Sequence, residues 1–156
     1  FSMTGWKVGY VTAPAALAAV IAKAHQNIAF ATAPNLQRAV AVGLEQDPAY
    51  FADLAAGMEL RRDILTKGLE SLGCHVLPCH GTYFLTVDIR TLAKAGETDL
   101  EWSRRVTAEA GVAVIPLSAF YDPALGDAPG NLVRFAFRKQ PRILDAAVER
   151  PKNYRS

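Results

Sequence analysis

Two apolar, strand-like runs in this chain each carry a single cation. In Phe1-Ser-Met-Thr-Gly-Trp-Lys-Val-Gly-Tyr10, Lys7 sits between Trp6 and Val8, with Gly5 and Gly9 outside them. In Asn131-Leu-Val-Arg-Phe-Ala-Phe137, Arg134 sits between Val133 and Phe135. A cation in a half-buried strand is costly unless an anion meets it. Two of them, far apart in sequence, suggest a site for a ligand with two anionic groups. The plainer alternative is a pair of edge-strand cations reaching solvent, or, for Arg134, an ion pair with Asp88 or Asp122.

The composition is that of a globular chain. Of its 156 residues 51% are hydrophobic and 21% charged, which does not fit disorder. A formal charge of +2 with scattered basic residues gives no nucleic-acid footprint. No apolar stretch reaches membrane-spanning length before a Lys, His, Asp or Arg interrupts it. Cys74 and Cys79 lie beside His75 and His80, but the remaining histidine is His25 and there is no third cysteine. A metal reading lacks its second ligand pair, and reduced thiols are the simpler expectation.

Along the chain, residues 3–12 read as a strand. Leu17, Val20, Ile21, Ala24 and Ile28 recur at helical spacing after Pro14, and Leu36, Val40 and Leu44 do so after Pro34. Asp47-Pro48 is an acidic cap followed by proline. It opens a helix of roughly 25 residues, about 37 Å long, which Gly73 should end. Thr82–Ile89 alternates, with Tyr83, Leu85, Val87 and Ile89 on one face and Thr82, Phe84, Thr86 and Asp88 on the other. Thr98 and Glu101 have capping-box spacing ahead of a helix with Trp102, Val106 and Ala110 inward. Val112–Pro116 reads as a short buried strand, Asp122–Gly130 as a loop, and Leu132–Phe137 as the last strand. A final helix has Ile143, Leu144, Ala147 and Val148 inward and is expected to stop at Pro151, leaving a frayed tail. The order after Asp47 is an α/β (α+β) arrangement, a small sheet covered by helices.

The opening run resembles the segment after the Schiff-base lysine of fold-type I, class I/II aminotransferases that use pyridoxal 5'-phosphate. Gly81–Asp88, Gly111–Tyr121, Leu132–Phe137 and Ile143–Val148 resemble later segments of that family in the same order, nearest to kynurenine, glutamine and methionine transaminases. The resemblance implies a C-terminal part of such an enzyme. Residues 1–46 would be a remnant strand and helices of the large cofactor-binding domain, and 47–156 the small domain. The Schiff-base lysine would lie upstream of Phe1, so no catalytic residue is assigned and this chain alone is expected to be inactive.

The same resemblance gives three residues a role. Lys7 would hold the cofactor phosphate, and Arg134 the substrate carboxylate. Phe30 would enter the active site of the other subunit of a homodimer. The implied reaction moves an amino group from an aromatic, methionine-like or glutamine-like L-amino acid to a 2-oxo acid, in the cytoplasm. Tyr83, Phe120 and Tyr121 are further candidates to line a side-chain pocket. A cysteine-conjugate β-lyase of the same fold and a non-catalytic α/β binding module are the alternatives. No metal, nucleic acid or membrane partner is expected.

Overall fold

A computed structural model describes Phe1 and residues 3–152, with side chains through Arg150. The chain divides into two compact units, Phe1–Ala52 and Asp53–Ser156, and the division falls inside one long helix.

The first unit is helical. A 3-10 turn spans Thr4–Trp6, α1 spans Ala15–Ile28, α2 spans Pro34–Leu44, and the first residues of α3, Pro48–Ser71, complete it. Pro34 occupies the first turn of α2, where its missing N–H costs nothing. The Asp47 carboxylate accepts from the Ala49 N–H at 2.8 Å and caps α3. Phe1 stacks on Tyr50 and meets Phe51 edge-on. Gly43 admits that ring, since a Cβ there would lie 2.9 Å from it. Neither α1 nor α2 has a buried residue: Leu17, Val20, Ile28 and Leu44 of their apolar stripes are exposed, and Ile21, Leu36 and Val40 are half-buried.

The strand expected over residues 3–12 does not form. The Trp6 N–H donates to the Met3 carbonyl and the Lys7 N–H to that of Thr4, closing a turn, and the rest is irregular. An isolated strand leaves its backbone polar groups unpaired, and the one sheet among the described residues takes its strands from the second unit. Lys7 is accordingly exposed rather than half-buried.

The second unit holds the rest of α3, β1 (His75–Val76), β2 (Phe84–Asp88), α4 (Asp99–Ala110), β3 (Ile115–Pro116), β4 (Leu132–Ala136) and α5 (Pro141–Lys152). Its antiparallel sheet has the order β1-β2-β4-β3. Gly73 adopts a left-handed φ of 78°. There the Cys74 N–H returns to the Leu69 carbonyl at 3.1 Å and terminates α3. Thr98 and Glu101 form the reciprocal capping box of α4, and Gly111 ends that helix with a left-handed φ of 64°. One sheet face carries Leu85, Val87, Val133 and Phe135. It packs on Leu65 and Leu69 of α3, Trp102 and Val106 of α4, and Leu144 and Val148 of α5. The opposite face, with Phe84, Thr86, Leu132, Arg134 and Ala136, is half-buried.

Three local expectations need correcting. Residues 112–116 do not make a buried strand: β3 is two residues long at the sheet edge, and Ile115 is 39% exposed. Pro116 has no N–H with which to extend a ladder. Ile143 is 46% exposed, because Leu144 and Val148, four apart, set the inward stripe of α5. That helix continues through Pro151 to Lys152, and the expected tail, 153–156, lies outside the described residues.

Asp88 makes the stability of this unit pH-dependent. The Arg90 side chain donates to both carboxylate oxygens, with Nε at 3.1 and 2.9 Å, and the Arg90 N–H adds a bond at 3.0 Å. The Arg90 guanidinium, working against burial, lowers the Asp88 pKa from 3.8 to about 2. The folded carboxyl binds a proton less readily than the unfolded one. Its contribution, about 2 kcal/mol, is therefore present above pH ~4 and lost as pH falls through about 2. Acid titration of urea unfolding should show this decline, and Asp88→Asn should flatten it. A slope unchanged in the variant would contradict the assignment.

Candidate functional site

Arg134 occupies the middle of β4, opposite Thr86 of β2 on one side and Ile115 of β3 on the other. Strand alternation puts Val133 and Phe135 into the core and Arg134 on the other face. Thr86, directly across, is short, and the guanidinium reaches the diagonal neighbour, Phe84. Its Cζ lies 4.0 Å from the centre of that ring and 4.9 Å from that of Phe120. The ring of Tyr83 packs against Phe84 with centroids 4.4 Å apart.

Phe120 ends a 3-10 turn, Leu117–Phe120, and is itself 58% exposed. The turn is fixed from α4. The Ser118 N–H and hydroxyl each donate to the Asp99 carboxylate at 2.8 Å, while the Asp99 N–H donates to the Gly130 carbonyl at 2.7 Å. Asp99 is 1% exposed. One buried residue thus fastens both ends: its carboxylate holds the turn that carries Phe120, and its backbone N–H holds Gly130, the residue before Asn131, where the chain enters β4.

A guanidinium that lies against aromatic rings keeps the N–H donors around its rim for a further partner. Among the described residues no ion pair or side-chain hydrogen bond uses Arg134. The alternative partners are engaged elsewhere: Asp88 holds Arg90, and the Asp122 carboxylate accepts from the Ala124 N–H at 2.9 Å. The rim therefore suits a carboxylate taken as two parallel hydrogen bonds.

Lys7 and Phe30 belong to the first unit. Both have left-handed backbones, with φ of 55° and 62°, and Thr82 is the remaining non-glycine residue of this kind among those described. Such conformations are uncommon for residues with side chains and concentrate at functional positions. Phe30 follows α1, where its N–H and that of Ala29 both donate to the His25 carbonyl. It is 79% exposed. None of the ion pairs among the described residues includes Lys7. Among the described residues its ammonium has no hydrogen-bond partner either, so it is available to an anion.

The other sequence candidates divide. Tyr83 is packed against the core, whereas Tyr121 is 40% exposed beside Phe120. Cys74 is buried and Cys79 half-buried, both as thiols, and the Cys79 thiol donates to the Gly81 and Phe84 carbonyls. Sequence reasoning missed Asp99 and Phe84. Alternation had already placed Phe84 on the face of Thr86, but its contact with Arg134 follows from the β2–β4 register. Asp99 had no local signal beyond its place in a capping box.

The profile of the family "Aminotransferase class I and II" matches residues 1–150. The chain is 41% identical over 151 residues to a methionine aminotransferase of Escherichia coli (strain K12), covering 96% of this chain and 38% of that protein. It is 35% identical over 163 residues to a kynurenine–oxoglutarate transaminase of Dictyostelium discoideum, covering 94% and 38%. Among solved structures, N-succinyldiaminopimelate aminotransferase from Mycobacterium tuberculosis superposes with a TM-score of 0.80 at 39% identity, covering 96% of this chain and 38% of that one. The chain thus spans less than two fifths of the length of these relatives.

Proposed function

The chain belongs to the class I and II aminotransferases, and from that premise we propose that the full-length protein moves an amino group from an L-amino acid to a 2-oxo acid with pyridoxal 5'-phosphate. Residues 1–46 belong to its large domain and 47–156 to its small one. Arg134 receives the carboxylate that amino donor and 2-oxo acid share, which lets one residue orient both half-reactions. Lys7 contributes positive charge to the cofactor phosphate. Phe30, exposed on a strained backbone, reaches the active site of the second subunit of a homodimer. Pyridoxal phosphate, when bound, supplies the electron sink for the transfer, while the protein binds and orients. The amino acid is aromatic, methionine-like or glutamine-like, and the enzyme is cytoplasmic. Among the described residues no helix is long and apolar enough to cross a membrane.

The observation that carries this reading is the Arg134 guanidinium, lying over the rings of Phe84 and Phe120 and pairing with no carboxylate among the described residues. Arg134→Lys in the full-length protein keeps a positive charge but loses the two-pronged contact. It should lower kcat/KM about 10- to 100-fold, with KM raised for donor and 2-oxo acid alike. Inhibition by an apolar amine without a carboxylate should be unchanged. Equal KM values in variant and parent would overturn the assignment of Arg134.

A further inference from the structure

The contacts of Arg134 also bear on how its side chain is aimed. Arginine has many rotamers, and fixing one costs about 2 kcal/mol of side-chain entropy. Here that ordering is supplied before any ligand arrives. Phe84 comes from the first position of β2 and is backed by Tyr83. Phe120 comes from a turn fastened to buried Asp99. These two aromatic residues are distant in sequence, yet both lie within hydrogen-bonded frames of the same unit. A guanidinium whose central carbon lies over aromatic rings gains cation–π attraction, and its N–H donors, which lie in its own plane, are where a carboxylate meets it.

We infer that Phe84 and Phe120 are positioning residues, a pair of rings that fixes the plane of the Arg134 guanidinium so that a substrate carboxylate is met edge-on. The inference rests on the reading of Arg134 as the carboxylate contact. In this role the rings act through the arginine rather than on the reacting atoms. Their loss should therefore weaken binding of every carboxylate-bearing substrate and leave the chemical step nearly intact.

The test uses steady-state kinetics of the full-length enzyme. Phe120→Leu and Phe84→Leu should each raise KM for the amino donor and the 2-oxo acid about 3- to 30-fold, with kcat within about twofold. Phe120→Tyr, which keeps a ring face, should restore the parent KM. In an Arg134→Lys background, Phe120→Leu should have little further effect, because the planar group it orients is gone. Phe120 is more than half exposed, so the leucine variant removes little core. KM values unchanged by both leucine variants, with Arg134→Lys still damaging, would overturn the clamp and leave the arginine's role standing. An Arg134→Lys variant with parental KM would remove the premise itself.

Discussion

Trp102→Ala is expected to lower the unfolding free energy of the second unit by about 3–5 kcal/mol, the cost of emptying a large aromatic site in a packed core. Trp102 is 2% exposed and packs against Phe135 of the central strand β4, with ring centres 6.4 Å apart. The core that it joins draws on α3, α5 and both central strands, so few neighbours are free to collapse into the gap. A domain of this size has about 5–15 kcal/mol in all, and the change removes a large share. The melting temperature should fall about 4–8 °C for each kcal/mol lost. Trp102→Phe should recover much of the deficit, because most of the volume returns. A loss below about 1 kcal/mol on alanine substitution would show that the site is not packed as described.

Asp99→Ala should cost about 2–4 kcal/mol. It deletes the acceptor of two hydrogen bonds, each worth about 1.5–3 kcal/mol when one partner is charged, offset in part by the cost of keeping a carboxylate dry. The consequence extends beyond stability, because the same carboxylate fixes the turn that ends at Phe120. Thermal unfolding should show the loss, and KM for carboxylate substrates of the full-length enzyme should rise with it. Ser118→Ala, which keeps the N–H donor, should do less on both counts. A variant as stable as the parent would show that Ser118 and Asp99 are not coupled.

Local signals in the sequence were reliable where structure is decided locally. Asp47-Pro48, Thr98 with Glu101, Gly73 and Gly111 each satisfy or end a helix through groups a few residues away, and all four mark the observed ends. Alternation in β2 and β4 separated core from outer face, including the placement of Arg134. Residues 3–12 failed because alternation records which side chains could share a face, not whether a partner strand is present. Ile143 failed because helical spacing admits neighbouring stripes, and packing against the sheet selects one of them. The Arg134 site was legible as a lone cation, while its surroundings were not. Phe84 reaches it through register, and Asp99 reaches Ser118 across nineteen positions; both are products of the folded topology.

Both outer strands of the sheet are two residues long, and one of them ends in proline. A second chain that collides with either rim finds too few free amides to be recruited as another strand. Sticking between copies must then run through uncovered apolar side chains, whose contacts tolerate many geometries and come apart again. Growth of the sheet itself, the route to fibrous deposits, is blunted at both margins by how little backbone they offer.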